Sequence, residues 1–266
     1  MKTDVTDSQV DAYRRDGFVK IERLLDGAEL DHWRRTIGAA ATERADRIPG
    51  FGDGGKTGND FYDHVFTQRV NLWRTSPAVR ELVLDRRLGR MAARLSGQRA
   101  VRLYHDQSFF KGPWANPTSW HIDNPYWAFH SRDAISLWIA LDDTTMQNGA
   151  LYFLPGTHRT ATFDNVLIRP NVGALFEVYP QWAAIAPVCI ELQAGDATFH
   201  NGLLAHAAGP NMTPGHRRAF DIIYMPAGST FNGNRNVLPQ HLFDVLKPGD
   251  PLDDDEFNPL VATEDP

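Results

Sequence analysis

Residues 119–127, which read SWHIDNPYW, place an imidazole and a carboxylate two positions apart between aromatic side chains. In an extended strand, alternate side chains point to the same face, so His121 and Asp123 would lie about 6 to 7 Å apart along one face. An imidazole nitrogen and a carboxylate oxygen on one face can bind the same metal ion. The stretch therefore predicts two ligands of a metal site and requires a third from elsewhere in the chain.

The third ligand is sought among the other histidines. Four of them lie in or beside the short apolar runs that follow residue 100, namely His105, His200, His206 and His216. His206 is favoured because a basic pair, Arg217 and Arg218, follows at short range and could hold an anionic co-substrate. His200 is the rival candidate. Two imidazoles and one carboxylate on one side of an ion leave its opposite face open, as in non-haem Fe(II) oxygenases.

The composition is that of a globular protein with an excess of acidic groups. Of 266 residues, 42% are hydrophobic and 23% are charged, and the net charge is -6. This charge argues against nucleic acid and against anionic membranes as partners, because both bind surfaces rich in Lys and Arg. A small-molecule substrate is therefore expected, while the composition leaves the oligomeric state open.

Cysteine content and apolar run length bear on the compartment. Cys189 is the one cysteine in the sequence, so neither an internal disulfide nor a cysteine-based zinc cluster can form. The N-terminal residues lack the apolar core of a signal peptide, and no apolar run approaches the length of a membrane span. These features predict a cytoplasmic protein.

The pattern of apolar residues predicts a single domain, residues 1–266, that is mainly β with flanking helices. Residues 6–98 show mainly helical periodicity that begins with a capping box at Thr6 and Gln9, and a strand is predicted at Phe18–Ile21 between the first two helices. Residues 100–226 carry short apolar runs between Gly, Pro and Asn, which predict many short strands in a sandwich or barrel. The QNG turn at residues 147–149 predicts a hairpin between two of them. The acidic segment 247–266 is expected to be a loosely packed tail.

A glycine-rich segment at residues 50–58 formally matches a phosphate-binding loop. Gly50, Gly55, Lys56 and Thr57 fit the pattern G-x-x-x-x-G-K-[ST]. Such a loop must leave a buried strand and open a helix, so that its amides and the helix dipole face the phosphates. Both flanks are polar here. Nucleotide binding is therefore disfavoured, and the segment is interpreted as a flexible loop or as a lid over a pocket.

An ordered series of motifs resembles the phytanoyl-CoA dioxygenase family. The series consists of YRRDGFV at 13–19, WHID at 120–123, SLWIALDD at 136–143, NGALYFLPGTH at 148–158, and residues 195–217. Members of that family are oxygenases that use Fe(II), 2-oxoglutarate and O2. Their fold is a double-stranded β-helix, a cupin-like jelly-roll barrel with helices packed outside, and the resemblance implies the same fold here.

The resemblance also assigns roles to individual residues. The family's iron triad falls on His121, Asp123 and His206. The arginine that pairs with the distal carboxylate of 2-oxoglutarate falls on Arg217, eleven residues after the last ligand. In a strand, Arg217 and Arg218 point to opposite faces, so only one of them can enter the barrel. The space beside Arg217 agrees with the resemblance, because Arg217 shares its face of the strand with the small Ala219, whereas Arg218 shares its face with Phe220 and Ile222.

Two further residues resemble parts of the family's co-substrate pocket. Trp138 aligns with a pocket tryptophan, although packing in the barrel core also accounts for a tryptophan there. Lys111 resembles a lysine that contacts 2-oxoglutarate in the related ectoine hydroxylases. One departure is visible, since Ala208 stands where several relatives carry a serine two residues after the final histidine. The hydrogen bond of that serine to the co-substrate is expected to be missing.

The resemblance implies hydroxylation, or another oxidation, of an aliphatic carbon in a small molecule, with release of succinate and CO2. Related halogenases replace the carboxylate ligand by a small residue. Asp123 is retained here, which favours hydroxylation, although desaturation, cyclisation and epoxidation use the same ligands. Gln107, Tyr126, Trp127 and Phe231 are the candidate substrate-lining residues, and their aromatic content suggests an apolar or cationic substrate.

Two other functions compete with this interpretation. One is a cupin-like metalloenzyme of another reaction type, because the same donors accept other ions. Arg217 argues against it. The other is a non-catalytic barrel that only binds a ligand, and the intact set of metal donors argues against that.

Overall fold

The helices lie mainly in the first hundred residues, as the periodicity predicts. The computed structural model describes residues 1–43 and 60–263. This part of the chain contains α1 (Asp7–Asp16), α2 (Gly27–Glu43), α3 (Asp60–Asp63), α4 (Pro77–Val83), α5 (Arg86–Ser96), α6 (Leu175–Val178) and α7 (Gln240–Phe243). The predicted capping box at α1 is confirmed, because the Thr6 hydroxyl accepts from the Gln9 amide and the Gln9 side chain accepts from the Thr6 amide. The glycine-rich segment 50–58 lies outside the described residues.

The strands of the described part form two antiparallel sheets. They are β1 (Phe18–Ile21), β2 (Thr67–Val70), β3 (Ala100–Lys111), β4 (Thr118–His121), β5 (Ile135–Ala140), β6 (Leu151–Phe153), β7 (Val188–Ile190), β8 (Ala197–Asn201), β9 (His206–Ala208), β10 (Arg217–Pro226) and β11 (Leu260–Thr263). The larger sheet has the order β1-β8-β5-β10-β3-β11, with β2 also paired to β3, and the smaller sheet has the order β4-β9-β6-β7. The fold is thus the expected jelly roll with flanking helices.

The larger sheet separates the helical layer from the barrel interior. On β10, Phe220, Ile222 and Tyr224 belong to the apolar core shared with the helices, and the Phe220 ring lies 6.0 Å from that of Trp33 on α2. The alternate residues of β10 therefore face the interior, where the functional groups are found.

Three strands lie outside the predicted barrel limits of 100–226. β1 confirms the strand predicted at Phe18–Ile21 and pairs with β8, whereas β2 comes from the part predicted to be helical and pairs with β3. β11 comes from the segment predicted to be a loose tail, yet it pairs with β3, and Val261 and Ala262 are buried. The tail prediction is therefore wrong up to residue 263.

The turn predicted at residues 147–149 forms, but it does not close a hairpin. Gly149 has φ +105°, which its missing side chain allows, and the Ala150 amide donates to the Thr145 carbonyl at 3.0 Å. The flanking strands β5 and β6 belong to different sheets. The turn thus carries the chain from one wall of the barrel to the other. In the described ranges 1–43 and 60–263, no helix has both the length and the apolar character needed to cross a bilayer.

Candidate metal and co-substrate site

His121 and Asp123 lie at the end of β4, and their backbones differ from the single strand that the sequence predicts. The strand ends at His121, and Asp123 has helical angles, φ -81° and ψ -45°, directly before a short 3-10 helix, Asn124–Tyr126. The Gly202 carbonyl accepts the amides of Asp123 at 3.0 Å and Asn124 at 2.8 Å, which holds this bend. The two side chains still converge, with His121 Nε2 3.5 Å from Asp123 Oδ1.

His206 reaches the same point from β9. It is the register partner of His121, and the two ring centroids are 4.2 Å apart. His206 Nε2 lies 3.7 Å from Asp123 Oδ1. The potential ligand atoms of His121, Asp123 and His206 all lie within 4.8 Å of one another, so the structure brings the predicted triad together.

Both imidazoles are oriented by backbone carbonyls. His121 Nδ1 lies 2.8 Å from the Ser119 carbonyl, and His206 Nδ1 lies 3.0 Å from the Leu204 carbonyl. A carbonyl can only accept, so each Nδ1 carries the hydrogen and each Nε2 keeps a lone pair for a metal. Both Nε2 atoms face the Asp123 carboxylate.

The pKa values of Asp123 and His206 match what a divalent cation requires. Burial opposes ionisation of the Asp123 carboxyl, but the imidazoles of His206, His121 and His200 hold its pKa well below the usual range. Burial, with neighbouring His121, lowers the pKa of His206 to about 3. A carboxylate and neutral imidazoles are the forms that bind metal, so this donor set fits Fe(II).

The rival histidines are outside the cluster of three potential ligands. His200, on β8, is buried and lines the same cavity, with its Nε2 3.7 Å from Asp123 Oδ2 and its ring centroid 5.0 Å from that of His206. His105 lines the cavity from β3, and burial lowers its pKa to about 4. His216 is exposed. His206 thus has the position expected of the third ligand, with His200 beside the Asp123 carboxylate.

A cavity of about 570 Å³ extends from the triad to Arg217 at the beginning of β10. Arg217 is 2% exposed, its guanidinium carbon lies 5.1 Å from the ring centroid of Trp138, and its Nε and Nη1 have no hydrogen-bond partner. Burial lowers the pKa of Arg217 to about 10, which leaves it charged at neutral pH. Arg218 instead points outward and binds Asp142 with contacts of 2.7 and 2.8 Å. An anionic carboxylate would satisfy the free donors of Arg217.

The other predicted co-substrate residues differ in their placement. Trp138 lines the cavity. Lys111 is the register partner of Arg217 and is fully buried, but its ammonium group donates to the Asn116 carbonyl and is not part of the cavity lining. Burial, and then the charge of Arg217, lowers the pKa of Lys111 to about 7.

Thr118 supplies a hydroxyl beside Ala208, the residue that stands where several relatives carry a serine. Ala208 lines the cavity, and its register partner on β4 is Thr118, which also lines it. Strand alternation from His121 does not predict that Thr118 faces the cavity, because the register shifts between Thr118 and His121. Thr118 was therefore not among the predicted site residues.

The candidate substrate residues divide into two groups. Gln107, Tyr126 and Trp127 line the cavity, and the Tyr126 hydroxyl donates to the Val166 carbonyl. Phe231 does not line it, so that prediction is corrected. Phe231 bridges to Phe129 and packs behind Trp127 in an apolar cluster, where burial of its ring stabilises the wall rather than contacting a substrate.

One acidic residue in the cavity wall was also missed. Asp221, on β10, is 2% exposed and lines the cavity, and its Oδ2 accepts a hydrogen bond of 2.9 Å from Gln107. A carboxylate inside the apolar run of β10, on the same face as Arg217, was a usable signal in the sequence.

A jelly-roll barrel whose single cavity is lined by two imidazoles, one carboxylate and a buried arginine is typical of the class of metal-dependent 2-oxoglutarate oxygenases. The sequence profile of the family described as phytanoyl-CoA dioxygenase (PhyH) matches residues 13–219. The chain belongs to this family.

Characterised relatives agree with that assignment. Methylphosphonate hydroxylase of Gimesia maris is 28% identical over 233 residues, which cover 84% of this chain and 82% of the relative. The non-haem, 2-oxoglutarate-dependent carbocyclase SnoK from nogalamycin biosynthesis superposes with a TM-score of 0.78 at 28% identity, covering 97% of this chain and 96% of SnoK. The epimerase SnoN, solved with Fe3+, 2-oxoglutarate and nogalamycin RO, has a TM-score of 0.73 at 25% identity, covering 96% and 98%.

Family, neighbours and site together define the enzyme class. The protein is a dioxygenase that uses iron, 2-oxoglutarate and O2. The residues present fit both cofactors, because the triad offers neutral nitrogen and carboxylate donors and Arg217 offers unpaired donors for a carboxylate. A zinc or manganese cupin of another reaction type, and a non-catalytic barrel, do not account for this combination.

Proposed function

We propose that the protein hydroxylates an aliphatic carbon of a small molecule, using 2-oxoglutarate and O2 and releasing succinate and CO2. The observation that carries the proposal is the convergence of the His121, Asp123 and His206 donors in the same cavity as the unpaired guanidinium of Arg217. One oxygen atom of O2 enters the substrate and the other enters succinate, so the reaction balances.

The chain's own residues have separate parts in this reaction. His121, Asp123 and His206 would hold Fe(II), which together with 2-oxoglutarate and O2 supplies the oxidising chemistry. Arg217, stacked over Trp138, would pair with the distal carboxylate of 2-oxoglutarate. Thr118 places a hydroxyl in the wall next to Ala208, where it would replace the missing serine.

The other half of the cavity would take the substrate. The whole cavity, of about 570 Å³, suits a small molecule together with the co-substrate. Tyr126 and Trp127 follow Asp123 closely in sequence, and they line the cavity together with Gln107 of β3. Methylphosphonate hydroxylase is named for a small molecule, and nogalamycin RO, which is bound in the SnoN structure, is also a small molecule.

The test is 2-oxoglutarate turnover by the purified protein with Fe(II). We expect succinate formation that a substrate stimulates, and a product that has gained one oxygen atom. Asp123→Ala should abolish turnover and leave the melting temperature within a few degrees of wild type, because the carboxylate lies at the cavity surface. Full activity of Asp123→Ala would contradict the proposal. A product of unchanged oxygen content would instead indicate ring formation or epimerisation, as the names of SnoK and SnoN describe for those enzymes.

A further inference from the structure

Asp221 presents an unsatisfied carboxyl oxygen in the cavity wall. Its side chain is 2% exposed, and Oδ1 has no hydrogen-bond partner. Buried carboxyl oxygens are normally paired, because a buried oxygen without a hydrogen-bond donor has lost its hydration with nothing in exchange. Neither metal binding by the triad nor 2-oxoglutarate binding by Arg217 and Trp138 uses the Asp221 carboxyl.

A chain of hydrogen bonds fixes the orientation of Asp221. The Tyr62 hydroxyl donates to Gln68 Oε1 at 2.9 Å, Gln68 Nε2 donates to Gln107 Oε1 at 2.7 Å, and Gln107 Nε2 donates to Asp221 Oδ2 at 2.9 Å. Every donor in this chain points toward Asp221. Oδ2 is therefore held as an acceptor, and Oδ1 is left for a partner from the cavity.

The protein itself provides no counter-ion for this carboxyl. Within the described ranges, no Lys or Arg nitrogen forms an ion pair with Asp221. Arg217 is four residues away on the same face of β10, which is about 13 Å along a strand, and Lys111 donates to Asn116. Burial raises the pKa of Asp221 well above its ordinary value. A cationic partner would offset the free-energy cost of burying the ionised carboxylate.

The surroundings of Asp221 suit a cation. His105, on the neighbouring strand β3, lines the cavity and is neutral near pH 7, because burial lowers its pKa to about 4. Tyr126 and Trp127 also line the cavity, and aromatic rings attract cations. No positive side chain of the described cavity lining other than Arg217 competes for the ligand.

We propose that Asp221 anchors the substrate and that the substrate carries a protonated amino group that binds Oδ1. This inference rests on the proposed function, since it names the substrate class of the same cavity. The ammonium group would donate to Oδ1 while Gln107 continues to donate to Oδ2. The carbon to be oxidised would then lie on the side of the amino group that faces the triad.

The test measures binding without turnover. The Fe(II) and 2-oxoglutarate complex, kept free of oxygen, is titrated by calorimetry with cyclohexylamine, benzylamine and phenethylamine and with the matched alcohols. We expect at least one amine to bind about tenfold or more tightly than its alcohol, as a charge-assisted hydrogen bond provides. Asp221→Asn and Asp221→Leu should both remove this preference. Asp11→Asn, the same change on the exposed side of α1, should keep it.

Two results would overturn the inference. One is that no amine binds better than its alcohol to the wild type. The other is that phenylacetamide binds better than phenethylamine and keeps its affinity in Asp221→Asn, because the carboxyl would then donate to a carbonyl rather than accept from a cation. Amine preference without any succinate formation in air would support the anchor and contradict the proposed hydroxylation, so the two failures are distinguishable.

Discussion

His121 and His206 are oriented by the same local device, a hydrogen bond from Nδ1 to the carbonyl two residues earlier, at Ser119 and Leu204. The sequence predicted the identity of these ligands from residue type, spacing and family resemblance. It could not predict their tautomer, because the carbonyls reach Nδ1 only in the conformation at the ends of β4 and β9. Asp123 shows the same limit, since its helical backbone depends on Gly202, 79 residues later in the chain.

The triad predicts different metal affinities for two neighbouring histidine variants. His206→Ala removes a ligand and should abolish measurable Fe(II) binding in an anaerobic titration. His200→Ala removes only a neighbour of Asp123 Oδ2 and should weaken binding by about tenfold, as loss of an outer contact does. His105→Ala, in the same cavity, serves as the control. Stronger loss in His200→Ala than in His206→Ala would place the third ligand at His200.

Lys111 predicts a specific pH dependence of stability. An unfolded lysine keeps its proton up to the ordinary pKa of 10.5, whereas buried Lys111 loses it near a pKa of about 7. Between these values the unfolded chain binds more protons, so stability rises with pH. Urea unfolding measures the free energy of unfolding of wild type and of Lys111→Met. The value for wild type minus that for the variant should rise from pH 7 to 9 by about 1 kcal/mol per pH unit.

The control for this prediction is Lys247→Met, which removes an exposed lysine. Its stability relative to wild type should not change over the same pH range. An equally flat difference for Lys111→Met would show that Lys111 keeps its proton in the folded protein.

At the scale of elements, local sequence signals predicted the longer helices before residue 98 and a series of short strands after residue 100, but not which sheet each strand joins. The QNG turn forms, yet β5 and β6 lie in different sheets because each pairs with a strand distant in sequence. β11 was missed because its apolar run is short and follows an acidic segment. Its burial depends on α5, where a side chain on Gly89 would lie 2.7 Å from Val261.

This packing predicts unequal effects of one substitution at adjacent positions of β11. Val261 is 3% exposed and Leu260 is 45% exposed. Val261→Asp places a charge against α5 and should lower the free energy of unfolding by about 3 kcal/mol, whereas Leu260→Asp should change it by less than about 1 kcal/mol. Denaturant unfolding measures both. Equal effects would mean that β11 is not docked on α5 in solution.

At the scale of the whole molecule, the ordered motifs predicted the jelly roll, the family and both cofactors, because these motifs are spread over most of the chain from residue 13 to residue 217. The wall of the substrate half was predicted less completely. Asp221, Gln68 and Thr118 belong to three different strands, and they line the same cavity only when both sheets have formed. The prediction that Phe231 lines the cavity was wrong because the sequence does not show whether an aromatic residue lines a cavity or packs behind its wall.

The central claim is that one cavity holds iron at the triad and 2-oxoglutarate at Arg217, and 2-oxoglutarate binding to the anaerobic Fe(II) protein tests it most directly. Calorimetry should give one site in wild type and a loss of affinity of about 100-fold in Arg217→Ala, with Fe(II) affinity unchanged. Arg218→Ala, which breaks only the outward pair with Asp142, should bind 2-oxoglutarate like wild type. Wild-type affinity in Arg217→Ala would contradict the account.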